Sequence, residues 1–488
     1  MARITICSEQ SAGTISRYIY GHFAEHLGHC IYGGIFVGKD STIPNAAGIR
    51  TDVVEAMRAI HLPVLRWPGG CFADEYHWRD GIGPQAQRRN MVNTNWGGVT
   101  EDNSFGTHEF LELCRQVGCE PYITGNVGSG TAQEMSEWVE YLNSDGDSSV
   151  VRERRANGRQ DSWGVRFWGV GNESWGCGGI MRPEYYADVY RRYQNFCRQY
   201  GDHKLYKIAC GPNGTDTNWT EVLMKNAAFC MDGLSMHNYT IPGSWEHKNR
   251  ATEFTEEDYW ETLAIAADME RKIKLHTDIM DQYDPDKRIG LIVDEWGTWF
   301  EVEPGTNPGF LYQQNTMRDA MVAAIHLDLF NRHCDRVFMA NIAQTVNVLQ
   351  AIILTKEDRM VLTPTYHVFD LYQHHMDAKE LHCEIEADMA GTGRHTLPGI
   401  TASASEKDGK ITVTLSNLNP DRAEEVSISL KQPVKQAAGR ILQGRMDEYN
   451  DFDHAPLHVE PFDGFIIHGG VVEIKMPSCS VAEIRFDL

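Results

Sequence analysis

Short β-branched apolar segments alternate with longer segments of helical periodicity along most of this 488-residue chain, and this alternation restricts the possible folds most. The strand-like segments are residues 19–25, 63–68, 121–126, 166–172, 206–210, 233–237, 288–295 and 337–341. The helix-like segments are residues 52–60, 107–117, 132–142, 183–200, 219–228, one long helix within 258–282, 313–332 and 365–375. Eight alternating units with right-handed crossovers predict a parallel, closed (β/α)8 TIM barrel. A doubly wound open sheet is less favoured, because no Gly-x-Gly-x-x-Gly turn follows an early strand.

After about residue 380 the pattern changes to a period of two, which is typical of antiparallel strands. Lys407-Asp408-Gly409 is a plausible hairpin turn between two of these segments. The segments are residues 400–405, 410–416, 426–430, 471–475 and 481–486. They predict a jelly-roll-like antiparallel β-sandwich at 379–488, after a barrel at 17–378. Residues 3–7 also alternate, so we expect the segment 1–16 to add a strand to the sandwich.

The bulk composition excludes several classes of partner. The net charge is −23, from 45 Lys and Arg against 68 Asp and Glu, whereas nucleic acids and anionic membranes attract basic surfaces. No apolar run reaches the roughly 20 residues that span a bilayer, and the first ten residues lack the apolar core of a signal peptide. We therefore expect a cytoplasmic enzyme acting on a neutral substrate. The 12 cysteines include no Cys-x-x-Cys pair, which argues against a zinc ribbon.

Polar and aromatic residues end most of the predicted strands. In a (β/α)8 barrel these carboxyl ends meet on one rim, where active sites lie. The rim residues are Glu25, His26, Arg66, Cys71, Asn126, Asn172, Glu173, His237, Tyr239, Asp294, Glu295, Asn341 and Gln344. Asp294 neighbours Glu295 but should point the other way along the strand, so we expect it to support the wall rather than react.

Two glutamates on this rim have the chemistry of a retaining glycosidase. Glu173 ends the fourth strand and Glu295 the seventh, so the two should face each other across the barrel. Retaining hydrolysis needs one carboxylic acid and one carboxylate nucleophile about 5–5.5 Å apart. We expect Arg66 to lower the pKa of Glu295, while Glu173 stays protonated until glycosylation. Either glutamate alone is more often a salt-bridge partner; the pair at matching strand ends favours catalysis.

The motifs around these glutamates resemble those of a known family. Gly171-Asn172-Glu173 and Asp294-Glu295-Trp296 are similar to the strand-four and strand-seven signature of the large barrel clan of retaining glycosidases. Within that clan, Gly-His-Phe-Ala-Glu-His-Leu-Gly at 21–28, Arg-Trp-Pro-Gly-Gly at 66–70 and Asn-Ile-Ala-Gln-Thr-Val-Asn at 341–347 resemble the α-L-arabinofuranosidases of glycoside hydrolase family 51. The resemblance runs from about residue 18 to 375, and a trailing β-sandwich is also typical of that family.

The resemblance implies an exo-acting, retaining hydrolase of terminal α-L-arabinofuranosyl groups on arabinoxylan, arabinan and their oligosaccharides. It implies Glu173 as the general acid/base, Glu295 as the nucleophile, and a homo-oligomer, often a hexamer. The expected substrate-binding residues are Glu25, Cys71, Asn172, Tyr239, Gln344, Trp96 and Trp299, with Arg66 and His237 as supporting groups. For Trp96 and Trp299 plain packing stays an alternative. We expect neither a cofactor nor a metal, because the histidines are scattered and do not form a set of ligands.

Cys71 departs from the family pattern, since many relatives carry Asn at this position. Cys177 lies just past Glu173, and both cysteines fall on the same rim, after strands two and four. Two alternatives stay open: a disulfide that braces the pocket, or two free thiols in its wall.

Three other functions stay open for the whole chain. They are another retaining glycosidase of the clan, such as a β-xylosidase or endo-glucanase, a non-catalytic carbohydrate-binding protein, and a metal-dependent barrel hydrolase. A binding protein would not need both glutamates, and a metal enzyme would be sensitive to a chelator.

Overall fold

A computed structural model gives the fold, and it describes residues 1–7 and 9–487. In this part of the chain, eight parallel strands close a barrel. They are Gly21–Phe23, Val64–Trp67, Glu120–Gly125, Phe167–Val170, Tyr206–Ala209, Gly233–Thr240, Gly290–Thr298 and Val337–Ala343. Each overlaps one predicted strand. The prediction of a (β/α)8 barrel is therefore confirmed, and the open-sheet alternative is wrong.

Helices surround the barrel where the periodicity predicts them, with two differences. They are Thr51–Ala59, Thr107–Val117, Ala132–Asn143, Pro183–Phe196, Thr217–Ala227, Glu256–Ala267, Met269–Tyr283, Met317–Arg332 and Pro364–Tyr372. The single long helix expected after strand six is wrong, because the chain forms two helices that meet at Asp268. A further helix, Ser149–Ala156, is absent from the prediction. Among the described residues, no helix has the length and hydropathy to cross a bilayer.

The barrel interior changes from apolar to polar along its axis. A cluster of buried apolar side chains fills the interior towards the amino ends of the strands: Val64, Tyr122, Phe167, Ile208, Ile292 and Met339. Side chains in a strand alternate between its two faces. The next inward positions after Val64 and Ile292 are therefore Arg66 and Asp294, both buried. The apolar layer thus forms the floor of a polar site at the carboxyl ends.

Strand seven contains a β-bulge that shapes the site. Val293 pairs with Met236 of strand six, but the next pair joins Glu295 to His237, so Asp294 is skipped. The extra residue breaks the period of two, and Asp294 and Glu295 both face the barrel interior. The expectation that Asp294 points away from Glu295 is therefore wrong.

Ten of the remaining strands form a β-sandwich beside the barrel, which confirms the predicted C-terminal β-sandwich. In the described residues its ten strands are Ala2–Cys7, Lys379–Glu386, Ile400–Lys407, Lys410–Asn417, Glu424–Ser429, Gln436–Gln443, Glu460–Phe462, Phe465–His468, Val471–Met476 and Ser480–Asp487. One apolar core, which includes Ile4, Val413 and Ile474, is shared by strands from both halves of this sheet. The hairpin turn at Asp408-Gly409 has positive φ angles of 54° and 75°, as a two-residue turn requires.

The N-terminal strand lies inside the sandwich sheet rather than at its edge. Ala2–Cys7 pairs antiparallel with Lys379–Glu386 and parallel with Glu424–Ser429. A strand from one end of the chain therefore completes a sheet made from the other end. The domain limits of 17–378 and 379–488 stay a prediction.

Candidate active site

The residues predicted from the strand ends converge at the carboxyl end of the barrel. One carboxylate oxygen of Glu173, one of Glu295 and a ring nitrogen of His237 all lie within 4.8 Å of one another. His237 Nδ1 is 2.9 Å from Glu173 Oε1 and 3.6 Å from Glu295 Oε1. A single imidazole therefore bridges the two glutamates that the sequence singles out.

Glu295 is the more deeply buried of the pair and is held by charged and hydroxyl donors. Arg66 Nη1 donates to its Oε1 at 2.9 Å, and the Tyr239 hydroxyl donates to its Oε2 at 2.7 Å. Burial favours the neutral carboxyl, but His237, Arg66 and Tyr239 outweigh it and lower the pKa of Glu295. This is the direction expected from Arg66, and it favours the ionised carboxylate.

The surroundings of His237 favour its protonated, positively charged form. Burial favours the neutral ring, but the charges of Glu295 and Glu173 outweigh it and raise the pKa of His237. The protonated Nδ1 donates to Glu173 Oε1. This contact involves Oε1 of Glu173 and leaves Oε2 on the other side of the carboxyl group.

Glu173 is placed by an unusual backbone turn after strand four. Its φ is +39°, in the left-handed region that favours glycine. The Glu173 carbonyl accepts from the N–H groups of Gly176 at 2.7 Å and Gly178 at 3.0 Å, and these bonds hold the turn. The side chain is 19% exposed, against 7% for Glu295. Glu173 thus faces the opening of the site, where a leaving group would depart.

Cys71 and Cys177 form a disulfide with a Cα–Cα distance of 5.6 Å, which decides between the two alternatives left by the sequence. The bridge joins the turn after strand two to the turn after strand four. Its sulfurs lie 4.0 Å and 3.6 Å from Glu173 Oε2. These are packing contacts, because disulfide sulfurs have no proton to donate. The bridge therefore forms one wall beside Glu173.

Glu25 lies at the bottom of the same site as a fully buried acceptor. It accepts from the Phe72 N–H at 3.1 Å, from Trp96 Nε1 at 3.0 Å and from Gln344 Nε2 at 2.9 Å. Burial and the charge of Glu295 raise the pKa of Glu25 to about 7. Trp96 and Gln344 are thereby brought to the site, as the sequence predicts, and Trp96 acts here as a donor to a carboxylate.

Arg66 links the nucleophile to Asn172. Its Nη2 donates to Asn172 Oδ1 at 2.6 Å while Nη1 holds Glu295. Asp294 lies beneath the same guanidinium, with Oδ2 3.8 Å from Arg66 Nε, and it accepts from Tyr122 and Asn341. Asp294 therefore supports the wall from inside the barrel.

Aromatic residues extend the site outwards from Tyr239. Trp299 is half-buried and packs edge-on against Tyr239 and Trp245, with centroid distances of 5.0 Å and 5.2 Å. Trp245 is 60% exposed, and the Lys248 ammonium lies 4.5 Å from its ring centre. Trp245 is absent from the predicted set. An isolated Trp in the loop after strand six was the signal that could have indicated it.

Asp74 is a second functional candidate that the sequence analysis missed. It is buried in the turn after strand two, and it accepts from the N–H groups of Val127 and Gly128 at 2.8 Å and of Asn172 at 3.1 Å. Burial raises the pKa of Asp74 to about 7 despite these donors. One carboxyl thus ties together the turns after strands two, three and four. A lone acid within the apolar Cys-Phe-Ala-Asp turn was the available signal.

The predicted rim residue Asn126 does not reach the site. Its side-chain carbonyl instead accepts from the N–H groups of Ser129 and Gly130 and holds the turn after strand three.

Comparisons with known proteins agree along the whole chain. Family models described as Alpha-L-arabinofuranosidase 1 domain and Alpha-L-arabinofuranosidase C-terminal domain match residues 56–257 and 294–480. An intracellular exo-α-L-arabinofuranosidase of Bacteroides ovatus is 52% identical over 99% of this chain and 95% of that protein. The crystal structure of the GH51 arabinofuranosidase from Xanthomonas axonopodis pv. citri is 48% identical, with a TM-score of 0.98 over 99% of both chains. The chain belongs to glycoside hydrolase family 51.

The motif resemblance to the family 51 α-L-arabinofuranosidases is therefore confirmed, and the chain is a glycoside hydrolase. A second similar structure, an α-L-arabinofuranosidase from Thermotoga maritima solved as an arabinose complex, is 30% identical, with a TM-score of 0.87 over 100% of both chains. The barrel with its C-terminal sandwich is shared with these arabinofuranosidases.

Proposed function

We propose that this protein is an exo-acting α-L-arabinofuranosidase that removes terminal arabinofuranosyl groups with retention of configuration. The observation that carries the proposal is the approach of Glu173 and Glu295 oxygens to within 4.8 Å. That spacing supports a retaining pair, about 5–5.5 Å apart, rather than an inverting pair at 6.5–9.5 Å. The proposed substrates are arabinoxylan, arabinan and arabino-oligosaccharides.

In the first step of the proposed double displacement, Glu295 attacks C1 while Glu173 protonates the departing glycosidic oxygen. The lowered pKa of Glu295 supports its role as nucleophile. His237 donates to Glu173 Oε1, which leaves Oε2 as the atom that delivers the proton. The greater exposure of Glu173 suits contact with a leaving group.

In the second step Glu173, now ionised, removes a proton from water, and the water attacks C1 of the arabinosyl–Glu295 ester. The C1–Oε bond breaks, and Glu295 regains the charge that Arg66 and Tyr239 stabilise. These donors are in place before the reaction, so they stabilise the leaving carboxylate without reorganisation.

Glu25, Gln344 and Asn172 are proposed to recognise the arabinose hydroxyls, because their polar atoms surround the floor of the site. The buried Gln344 Oε1 lacks a protein partner among the described residues, which suits an acceptor for a sugar hydroxyl. Trp96 and Trp299 are proposed to pack against sugar C–H faces. The main chain at Cys71 would take the place of the amide of its relatives.

We also propose that the protein is an intracellular homo-oligomer, hexameric as the family resemblance implies, and that it binds neither nucleic acid nor membrane. The name of the Bacteroides ovatus relative supports the location, and the net charge of −23 supports the exclusion of anionic partners. Light scattering of the purified protein would test the assembly.

Kinetics of Glu173→Ala on aryl α-L-arabinofuranosides test the assignment. We expect a loss of about 10²–10⁴-fold for poor leaving groups and a much smaller loss for activated ones, because only poor leaving groups need the proton. Added azide should yield a glycosyl azide of retained configuration. Glu295→Ala should abolish turnover on every substrate.

The exposed Glu301→Ala is the matched control, and it should keep wild-type rates. Inverted product, observed by NMR early in the reaction, would contradict the double displacement. Equal losses for all leaving groups in Glu173→Ala would contradict the acid assignment. Faster hydrolysis of β-xylosides than of arabinofuranosides would contradict the proposed substrate and indicate a β-xylosidase of the same clan.

A further inference from the structure

The disulfide beside Glu173 brings together two cysteines and a carboxylate, which are residue types that bind metal ions when the cysteines are reduced. Cys71 Sγ, Cys177 Sγ and one Glu173 oxygen lie within 4.8 Å of one another. Cys177 is exposed, while Cys71 and Glu173 are half-buried, so the group faces the opening of the barrel. The proposed hydrolysis uses the Glu173 carboxyl but neither sulfur.

The sulfur-to-oxygen distances agree with tetrahedral zinc coordination. Zn–S bonds of about 2.3 Å and Zn–O bonds of about 2.0–2.2 Å place sulfur and oxygen ligands roughly 3.6 Å apart. The two sulfurs lie 3.6 Å and 4.0 Å from Glu173 Oε2. Two thiolates on one zinc lie roughly 3.8 Å apart, whereas the two sulfurs here are bonded to each other. Coordination of zinc therefore requires reduction of the disulfide.

We propose that reduction of the Cys71–Cys177 disulfide creates an inhibitory site for Zn²⁺, bound by the two thiolates and Glu173. A dithiol reductant supplies two electrons and two protons, the S–S bond breaks, and the reductant leaves as its own disulfide. Zn²⁺ then displaces the two thiol protons and binds both sulfurs and Glu173 Oε2. Water completes the fourth position.

The surroundings of the site support this occupant. His237 donates to Glu173 Oε1, which orients the carboxylate so that Oε2 faces the sulfurs. Soft thiolate ligands select zinc over magnesium or calcium. The Cα–Cα distance of 5.6 Å allows the sulfurs to separate through side-chain rotation, with little backbone movement.

The inhibitory part rests on the proposed role of Glu173 as the acid/base. A zinc ion on Oε2 occupies the atom that would deliver the proton, so the reduced, zinc-loaded protein should not turn over. Reduction without zinc leaves that atom free. Activity would then depend on two conditions together, the thiol redox state and available zinc.

The test compares oxidised protein with protein reduced by a phosphine and desalted without oxygen. Cd²⁺ is the spectroscopic probe, because Cd–thiolate bonds absorb in the ultraviolet and report binding without reference to activity. We expect one additional Cd²⁺ per chain after reduction. Zn²⁺ should inhibit the reduced protein at concentrations roughly 100-fold or more below those that affect the oxidised protein, and a chelator should reverse the effect.

Cys177→Ser should lose the additional Cd²⁺ and the zinc sensitivity, each measured against its own metal-free activity. Cys334→Ser, which removes a half-buried free thiol elsewhere, should keep both. Equal Cd²⁺ binding by oxidised and reduced protein, or by Cys177→Ser, would overturn the site. Binding of Cd²⁺ without zinc inhibition would overturn the inhibitory role of the site, whereas the leaving-group dependence of Glu173→Ala tests the acid/base assignment separately.

Discussion

Two hydrogen-bond donors and one imidazole surround the carboxylate of Glu295, and they come from only two barrel strands. Arg66 lies on strand two, and Tyr239 and His237 lie on strand six. Because Arg66 donates to both Glu295 and Asn172, it links the proposed nucleophile to a proposed sugar ligand. The hydroxyl of Tyr239 is the donor that can be removed with the least change in shape.

Tyr239→Phe should raise the pKa of Glu295, because the charged carboxylate loses its 2.7 Å donor. A hydrogen bond to a charged group contributes about 1.5–3 kcal/mol. If Glu295 is the nucleophile, its ionisation sets the acid limb of the pH profile of kcat/KM. We therefore expect this limb to move up by about one pH unit or more.

Tyr366→Phe is the matched control, since its hydroxyl donates to the Ala56 carbonyl away from the site. Its profile should coincide with that of the wild type. An unmoved acid limb in Tyr239→Phe would show that this limb reports another group.

At the residue scale, the sequence correctly predicted the site residues that lie at the carboxyl ends of the barrel strands. Glu173, Glu295 and Arg66 follow from barrel geometry, because the carboxyl ends of all strands share one rim. Asp74 and Trp245 lie on loops instead, and their contacts depend on how separate loops close together. Whether Cys71 and Cys177 form a disulfide depends on the distance between two separate loops, which the sequence does not give.

At the scale of elements, the short turn Cys71–Asp74 organises three neighbouring loops. One end carries the disulfide to Cys177, and the other carries the Asp74 carboxyl to the backbone of Val127, Gly128 and Asn172. The turn thus holds the strained backbone from which Glu173 projects.

Asp74→Asn should weaken this element without changing its size. The new amide NH2 must face backbone N–H donors, and an unpaired buried polar group costs about 1–3 kcal/mol of unfolding free energy. Because Glu173 is displaced, kcat should fall more for poor leaving groups than for activated aryl arabinofuranosides.

Asp284→Asn is the matched control. Asp284 is also buried and accepts from a backbone N–H, that of Ile289, but it lies at the amino end of the barrel. This variant should lose stability with no dependence on the leaving group. The same pattern in Asp74→Asn would reduce Asp74 to a purely structural residue.

Helices and strands were predictable where the hydrophobic periodicity of the segment is strong. Helix Ser149–Ala156 was missed because its few apolar residues give a weak period; buried Arg154 instead anchors it to the carbonyls of Tyr141 and Ser144. The bulge at Asp294 was missed because one extra residue in a strand leaves no mark in a short apolar run.

At the scale of the molecule, polar contacts join the barrel to the sandwich. Asp328, on a barrel helix, accepts from Thr401 of the sandwich at 2.7 Å and from Tyr372 at 2.9 Å. Asn331, on the same helix, donates to Ser403 at 3.0 Å. Burial raises the pKa of Asp328 to about 7.

This shift makes the contribution of Asp328 to the free energy of unfolding fall as the pH rises. Between the unfolded pKa of 3.8 and about 7, the folded state holds the Asp328 proton and the unfolded state does not. Asp328→Asn cannot lose a proton, and both hydroxyl partners can rotate to accept from its amide. From pH 5 to pH 8, its unfolding free energy should therefore rise relative to the wild type by about 2 kcal/mol.

Urea titrations at several pH values measure this difference, with the exposed Asp408→Asn as control. The control should follow the wild type at each pH. A difference between Asp328→Asn and wild type that stays constant from pH 5 to pH 8 would show that Asp328 keeps an ordinary pKa in the folded protein.

The position of Ala2–Cys7 inside the sandwich sets an order of events during synthesis. Its neighbours Lys379–Glu386 and Glu424–Ser429 emerge from the ribosome only after the whole barrel, a delay of roughly 20–70 s at common translation rates. Throughout that interval an apolar strand with two unpaired edges must stay available. A ribosome-bound fragment that ends at residue 378 should consequently need chaperone protection for its first seven residues.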